Sequence, residues 1–341
     1  MRDLPEQINS TEELEEILSE PSDALVKFMG QINGDIIILG AGGKIGPSLA
    51  MRAKRAMGRA GVKREVIAVA RGPLPGLKSQ GILTIQCDLL DLEAVKRLPK
   101  IQNVIFLVGR KFGSIGNEPI TWAVNTICAQ HTAQTFGTSN IVAFSTGCVY
   151  PLMDAKSGGA SESTPMDPIG EYAMSCLARE RMFDYFSQSF GVKVMHFRLN
   201  YAIELRYGVL RDIAQCVYRG EPVDITTNCV NVIWQGDACD MAIRSLSLAA
   251  SPPQILNVTG PETLSVSEIA EAFGRRLGKK VAFTGQASGK AYLSDARQAR
   301  QLFGKDSASL ERLIEWTAHW IERGGENLDK PTHFEVQNGK Y

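Results

Sequence analysis

The stretch DIIILGAGGKIGPSLA, residues 35–50, decides the fold of this chain. A short apolar run leads directly into a glycine series in which Gly40, Gly43 and Gly46 are each separated by two residues, and a helical segment follows. A buried parallel strand requires such a continuous apolar run. Glycines between a strand and a helix allow a tight turn and let a pyrophosphate approach the helix N-terminus. The stretch therefore predicts the first unit of a dinucleotide-binding domain, although a glycine-rich turn that only packs helix on strand remains the alternative.

The rest of the chain continues this pattern. Apolar runs of strand type, separated by helical segments, lie at residues 66–70, 82–86, 103–108, 140–145 and 193–198. Strands that alternate with helices predict an α/β fold with a Rossmann-type doubly wound parallel sheet. Beyond residue 200 the alternation loosens. Helical segments at 209–220, 237–250 and 265–278, with strand candidates at 254–260 and 280–285, predict a smaller C-terminal α/β lobe that is partly intertwined with the sheet domain.

These patterns divide the chain into four parts. The first part is a helical extension with an S-x-x-E capping box at Ser10 and Glu13, and it is expected to act as a packing or dimer-contact arm. The predicted parts are the N-terminal extension (1–34), an NAD(P)-binding Rossmann domain (35–200), a substrate-binding lobe (201–325) and a peripheral C-terminal tail (326–341).

Composition excludes several functional classes. The 341 residues include 37 Lys and Arg against 37 Asp and Glu, so no charge excess suggests nucleic acid or an anionic membrane as a partner. No apolar run is long enough for a transmembrane helix, and the acidic N-terminus lacks the apolar core of a secretory signal. Seven cysteines and four histidines are scattered without metal-ligand spacing. We expect a cytoplasmic protein with free thiols and without a metal site.

The end of the second predicted strand bears on the choice of cofactor. An NAD site commonly has an acidic residue about 20 residues beyond the glycines, where it binds the ribose 2′-hydroxyl. Here the sequence is VIAVARG, which places Ala70 and Arg71 at that point. Arg71 can neutralise a 2′-phosphate, which favours NADP over NAD. A surface arginine at a strand end is the alternative.

Four further motifs follow the glycine series in order: CDLLD (87–91), WAVN ending at Asn125, FSTGCVYP (144–151) and SESTPMDPIGEYAMSCLARE (161–180). With them the chain resembles, over roughly residues 35–325, the extended short-chain dehydrogenase/reductase superfamily, in its NAD(P)-dependent epimerase/dehydratase group. The resemblance implies an NAD(P) cofactor and a homodimer. The residues that it and the glycine motif assign to the cofactor are Gly40, Gly43, Lys44, Ile45, Gly46, Arg71, Asp88, Leu89, Val108, Gly109 and Asn125.

The resemblance also implies the catalytic residues, with one departure. Thr146 matches the hydroxyl that polarises the substrate oxygen, and Tyr172 matches the tyrosine of a Tyr-x-x-x-Lys signature whose lysine is here Cys176. A lysine lowers the pKa of the tyrosine and holds the cofactor ribose, and a neutral thiol does neither well. We hypothesise that Lys111, in VGRKFGS (108–114), partly replaces it. Alternatively Lys111 grips phosphate or faces solvent. Cys176 is expected to be a small packing residue rather than a nucleophile.

On the substrate side, Asn200 matches a position where many members of the superfamily contact substrate. Arg206 can meet a phosphate or carboxylate, or can cap the following helix. The resemblance implies an NAD(P)-dependent oxidoreductase or epimerase that acts on a hydroxyl or keto group of a sugar, sugar acid or nucleotide sugar. Two alternatives remain: a non-catalytic dinucleotide-binding sensor or scaffold that has lost the lysine, and a redox-neutral dehydratase with a tightly bound cofactor.

Overall fold

The computed structural model describes residues 4–111 and 113–340, and a seven-stranded parallel sheet lies at its centre. The strand order is β7-β6-β5-β4-β1-β2-β3, and every neighbouring pair is parallel. The predicted α/β fold with a doubly wound sheet is confirmed. The strands are β1 (Ile36–Leu39), β2 (Val66–Ala70), β3 (Leu83–Gln86), β4 (Asn103–Phe106), β5 (Asn140–Thr146), β6 (Lys193–Leu199) and β7 (Gln254–Val258).

Helices cover both faces of this sheet. Ile36 and Ile38 of β1 point into a core shared with helices on one face, whereas Ile37 and Leu39 point into a second core on the other. Every side chain of β1 is buried, which explains why the sequence of this strand is one continuous apolar run. The helices are α1 (Thr11–Leu18), α2 (Asp23–Gln31), α3 (Gly46–Arg59), α4 (Pro75–Ser79), α5 (Leu92–Lys96), α6 (Glu118–Thr135), α7 (Gly170–Phe190), α8 (Val209–Arg219), α9 (Gln235–Arg244), α10 (Val266–Leu277), α11 (Arg297–Phe303) and α12 (Leu310–Glu322).

The chain that follows β6 is intertwined with the sheet. Although β7 falls within the range predicted for the lobe, it pairs in register with β6 and forms an edge of the central sheet. The strand predicted at 280–285 is reduced to the exposed pair Phe283–Thr284. Residues predicted to continue α9 form a 3₁₀ turn, Ser245–Leu248. The remaining strands are two-residue pairings at 153–154, 202–203, 223–224, 229–230, 233–234, 264–265 and 290–291.

The N-terminal extension is buried in two places, namely the core of the lobe and the core on one face of the sheet. Leu14 and Leu18 of α1 are buried in the lobe core with α8, α10 and α12, whereas Leu25 and Met29 of α2 are buried beneath the sheet. The oxygen of the Ser10 side chain accepts a hydrogen bond of 3.1 Å from the backbone of the third residue of α1, as the sequence motif predicts. This part of the chain therefore packs the two halves of the protein together.

The C-terminal segment is not peripheral, contrary to expectation. The backbone N–H and the hydroxyl of Thr332 both donate to Oδ2 of Asp212 on α8, at 2.8 and 2.6 Å. Phe334 is buried in the lobe core, and the amide of Gln337 donates to the carbonyl oxygen of Lys290 at 2.8 Å. Residues 326–340 thus cross the surface of the lobe in a fixed path. Within the described residues, no helix is long and apolar enough to cross a membrane.

Candidate functional site

Two adjoining cavities lie at the carboxyl ends of the central strands. The inner cavity, of about 410 Å³, includes the glycine loop, Thr146 and Tyr172. The outer cavity, of about 590 Å³, extends from the same glycines to Arg71 and Asp88. The loops that follow parallel strands converge at this edge of the sheet, which is where open α/β sheets bind ligands. The residues shared by both cavities are Gly40, Gly43, Leu107, Gly109, Lys111 and Lys330.

The glycine loop has a shape that requires glycine. Gly40 has φ +89°, and a Cβ there would lie 2.9 Å from the side chain of Val108. A Cβ on Gly46 would lie 2.2 Å from the carbonyl oxygen of Ala41. Helix α3 starts at Gly46 with Pro47 in its first turn, and no side chain of the described residues caps it. Its N–H groups and the positive end of its dipole therefore meet the cavity, so the loop fits the diphosphate of a dinucleotide.

The outer cavity fits the remainder of a dinucleotide. Arg71, Asp88, Leu89 and Val108 all line it. Arg71 is exposed and directly follows β2. The described residues contain no cluster of His, Cys, Asp or Glu suited to a metal ion.

The side chain of Lys44 departs from the expected role. It lines the inner cavity with Ile45, but its Nζ donates to the carbonyl oxygen of Ala202 at 2.9 Å and lies 3.8 Å from the centre of the Tyr207 ring. Lys44 therefore links the glycine loop to the loop after β6. Burial lowers the pKa of its ammonium from 10.5 to about 7, against the opposing attraction of Glu204.

Asn125 does not line either cavity, which corrects its assignment as a cofactor contact. Its Oδ1 accepts from the backbone N–H of Arg110 at 2.8 Å, and its Nδ2 donates to the hydroxyl of Ser175 at 2.8 Å. Asn125 is buried, so both ends of its amide need protein partners. It holds the loop after β4 against α7 instead.

Thr146 and Tyr172 both line the inner cavity. Thr146 ends β5, and its hydroxyl accepts a hydrogen bond of 3.2 Å from the backbone N–H of Cys148. Tyr172 lies in the first turn of α7 and shares a side-chain hydrogen bond with Cys176. Burial raises the pKa of Tyr172 well above 10, and the neighbouring thiols of Cys176 and Cys148 raise it further. Its hydroxyl is therefore protonated at neutral pH.

The residue in the lysine position is a neutral packing residue. Cys176 is completely buried, and burial raises the pKa of its thiol above 9. It packs with Val149 and Tyr150, close to Tyr172. A thiol in such an apolar setting is neither charged nor an activated nucleophile.

Lys111 does reach the inner cavity. Its Nζ donates to the carbonyl oxygen of Thr332 at 3.0 Å, so it joins the loop after β4 to the C-terminal segment. Burial lowers the pKa of Lys111, and the thiols of Cys148 and Cys176 lie near enough to influence it. The residue thus lies in the same cavity as Tyr172.

Sequence reasoning missed a second cation near Tyr172, namely Arg179. Its side chain is only 5% exposed, and its Nη1 donates to the carbonyl oxygen of Val108 at 2.8 Å. Among the leading influences on the pKa of Tyr172, Arg179 is the one that lowers it. Tyr172, Cys176 and Arg179 follow the spacing i, i+4, i+7, which places them on one helix face and could have revealed the relationship.

The two predicted substrate residues have different positions. Asn200 lines the inner cavity, and its Nδ2 donates to Asn231 and to the carbonyl oxygen of Tyr292. Arg206 does not line that cavity and instead lines a neighbouring one next to α8. It is paired with the carboxylates of Glu15, Glu204 and Glu326 at 2.7, 3.1 and 3.7 Å. Nor does it cap α8, whose N-cap residue is Gly208.

Residues 36–208, just over half of the chain, match the family model described as the NAD dependent epimerase/dehydratase family. The chain belongs to the NAD-dependent epimerase/dehydratase family. The protein is therefore an enzyme of the NAD-dependent epimerase/dehydratase type. Its glycine loop and outer cavity fit an NAD(P) cofactor. Among curated proteins, no match to this epimerase/dehydratase-family chain was found.

Solved structures support the fold of this family member. MoeE5 in complex with UDP-glucose and NAD is 23% identical, with a TM-score of 0.70, covering 85% of this chain and 99% of that one. UDP-glucose 4-epimerase of Thermotoga maritima with UDP-glucose is 18% identical, with a TM-score of 0.70 and coverage of 85% and 99%. WbmG of Bordetella bronchiseptica in complex with NAD and UDP is 18% identical, with a TM-score of 0.70 and coverage of 88% and 99%. At these identities the likeness concerns the fold.

Proposed function

We propose that this epimerase/dehydratase-family protein is an NAD(P)-dependent oxidoreductase or epimerase acting on a hydroxyl or keto carbon of a carbohydrate. The observation that carries the proposal is that Thr146 and Tyr172 share one cavity with the glycine loop. The cofactor supplies or accepts hydride when bound. The chain itself binds and orients the substrate and moves a proton to or from the reacting oxygen.

The two hydroxyl groups have distinct roles in this proposal. The hydroxyl of Thr146 donates a hydrogen bond to the reacting oxygen and polarises it. The hydroxyl of Tyr172 donates a proton to that oxygen when it becomes an alkoxide. The high pKa of Tyr172 suits donation, because the phenolate that would abstract a proton is scarce at neutral pH. Lys111 lies in the same cavity, and its positive charge would stabilise negative charge on either oxygen.

Nucleotide sugars are the proposed substrate class. The structures of MoeE5 with UDP-glucose and of WbmG with UDP support this choice by similarity of fold. A third cavity, of about 490 Å³, lies between α8 and the C-terminal segment and shares Tyr207 and Lys330 with the inner cavity. Together the inner and third cavities offer space for a sugar and an attached nucleotide.

We further propose that NADP is preferred over NAD. The support is Arg71, which is exposed at the end of β2 and lines the outer cavity. A guanidinium at this point can bind the 2′-phosphate of NADP. Arg71→Ala should lower kcat/KM for NADP⁺ about tenfold and leave that for NAD⁺ within about twofold. Equal losses with both cofactors would contradict the preference.

A homodimer through α6 and α7 is the proposed assembly. These helices pack on each other and expose large apolar side chains. Exposed fractions of 37 to 65% are found for Ile120, Ile127, Met174, Tyr185 and Phe190. The double variant Tyr185→Glu, Phe190→Glu should convert a dimer to a monomer in light scattering. A wild type that is monomeric at all concentrations would refute the assembly.

The test of the function is turnover on a panel of UDP-sugars, sugar acids and free sugars, with NAD⁺ and NADP⁺. Tyr172→Phe should reduce kcat by about 10²- to 10⁴-fold and leave cofactor affinity and Tm unchanged. Thr146→Val should reduce it by a smaller factor. Cofactor binding without turnover on any substrate would favour the sensor or scaffold instead. A cofactor released only by denaturing the purified protein would favour the redox-neutral dehydratase.

A further inference from the structure

The surroundings of Tyr172 disfavour its ionised form from several sides. Burial raises its pKa most. Cys176, one turn further along α7, and Cys148, in the 3₁₀ turn after β5, raise it further. Tyr172 also packs close to Tyr292. The other titratable groups that share the inner cavity are Lys44, Lys111, Tyr201, Tyr207 and Lys330. Position 176 supplies no charge to offset this environment.

Arg179 is a buried cation on the same helix face. A guanidinium is always protonated, so it needs partners wherever it is buried. One partner is the carbonyl oxygen of Val108, while its Nε has no hydrogen-bond partner among the residues that the structure describes. Because helical side chains tilt toward the N-terminus, the guanidinium extends from position 179 back toward Cys176. It influences the pKa of both Cys176 and Tyr172 in the lowering direction.

The same guanidinium supports a wall of both cavities. A Cβ on Gly109 would lie 2.8 Å from Nη1 of Arg179, so glycine at this position lets the guanidinium reach the backbone. Gly109 lines the inner and outer cavities, and Val108 lines the outer one. The cation is therefore placed directly behind the segment against which a dinucleotide would lie.

We propose that Arg179 is a positioning residue that supplies, from one turn further along α7, the positive charge that position 176 lacks. It fixes the Val108–Gly109 backbone and stabilises the phenolate that Tyr172 becomes once it has donated its proton to the substrate oxygen. This inference rests on the proposed role of Tyr172 as proton donor. Lys111 reaches the cavity from another loop, so the two cations can be tested separately.

The decisive measurement is the ionisation of residue 172 itself. A fluorotyrosine introduced at position 172 is titrated by ¹⁹F NMR in the full-length protein, with and without NAD⁺. Arg179→Met should raise its apparent pKa by about 1 relative to wild type, because a charge at close range is lost. Arg179→Lys should restore most of this change. Arg181→Met, on the same helix but with a side chain 54% exposed, is the matched control and should change nothing.

The outcomes separate this inference from the proposed function. If Arg179→Met leaves the titration of residue 172 unchanged, the inference is refuted, whatever the turnover. If Tyr172→Phe retains full turnover, the proposed function fails although Arg179 can still alter the titration. If Arg179→Met does not fold, Arg179→Gln and Arg179→Lys are compared instead. A higher pKa of residue 172 in the glutamine variant than in the lysine variant supports the inference, and equal pKa values in the two variants refute it.

Discussion

The Nζ of Lys111 donates a hydrogen bond of 3.0 Å to the carbonyl oxygen of Thr332, two residues in distant parts of the chain. Lys111 follows β4 of the central sheet, whereas Thr332 belongs to the C-terminal segment and is anchored to Asp212 of α8. The contact therefore connects the sheet, the lobe and the last residues of the chain at the mouth of the inner cavity. It makes the C-terminal segment part of the candidate site.

Removal of Lys111 should impair turnover. Lys111→Ala deletes a cation from the inner cavity, and we expect kcat/KM to fall at least about tenfold. Its pH–rate profile should also change, since the lowered pKa of Lys111 brings its titration toward the assay range. Lys78→Ala on the exposed side of α4 is the control. Full turnover with an unchanged pH–rate profile would show that Lys111 does not replace the lysine that position 176 lacks.

Lys330 should contribute to the binding of anionic ligands. This exposed residue of the C-terminal segment lines the inner, outer and third cavities, so its ammonium lies where they meet. Lys330→Gln should weaken binding of NAD⁺, of UDP or of both by about three- to tenfold in calorimetry. Weaker binding of NAD⁺ would indicate that Lys330 contacts the diphosphate of the cofactor, and weaker binding of UDP would indicate that it contacts the diphosphate of the nucleotide. Lys340→Gln, also exposed in this segment, should bind both as wild type does, and an identical result for Lys330→Gln would refute the prediction.

Lys44 should make cofactor binding pH-dependent. Its pKa of about 7 means that it is charged below pH 7 and neutral above, and a bound diphosphate favours the charged form. NAD⁺ affinity should therefore fall by up to about tenfold as pH rises through 7. Lys44→Met should remove this dependence, and a persisting slope would contradict the assignment. In the absence of ligand, the unfolded chain binds more protons between pH 7 and 10.5, so Lys44 makes the free energy of unfolding rise with pH there.

The buried ion pair of Glu180 and Arg198 should stabilise the fold beneath the site. Nη2 of Arg198 lies 2.6 Å from Oε2 of Glu180, and both side chains are at most 2% exposed. Arg198→Met leaves Glu180 buried and unpaired, and it should lower the free energy of unfolding by about 3 to 5 kcal/mol in urea. Arg181→Met, which breaks an exposed pair with Asp184, should cost less than about 1 kcal/mol. Equal effects would contradict the prediction.

The same pair predicts an acid sensitivity. Burial opposes ionisation of Glu180, but the hydrogen bonds and charge of Arg198 hold the pKa of Glu180 below its usual 4.5. A carboxylate with a lowered pKa in the folded state stabilises the protein above its unfolded pKa. That stabilisation is lost as pH falls below about 4.5. The pH dependence of unfolding in Glu180→Gln should be flatter in that range.

Local sequence predicted the glycine loop and the cavity residues after β2 and β4, because residues that are close in sequence determine these parts of the site. The glycine loop between β1 and α3 needs glycine at positions 40 and 46 for steric reasons, and the residues after β2 and β4 lie next to it because of the topology of parallel strands. Asn125 was misassigned, and the ion pairs of Arg206 were missed, because sequence position does not reveal hydrogen-bond partners. Asn125 turns toward Arg110 and Ser175, and Arg206 is paired with three carboxylates that come from separate parts of the chain.

The sequence by itself determined the α/β fold and the glycine loop, because short-range periodicity and spacing encode strands, turns and helix faces. Its resemblance to a family, rather than periodicity, pointed to Thr146 and Tyr172. Only the tertiary structure decided which charges surround Tyr172. Burial raises its pKa, Arg179 approaches because Gly109 leaves space, and Lys111 is held by Thr332. These effects depend on the distances between side chains and on their desolvation in the folded protein. The spacing of residues along the chain determines neither the distances nor the desolvation.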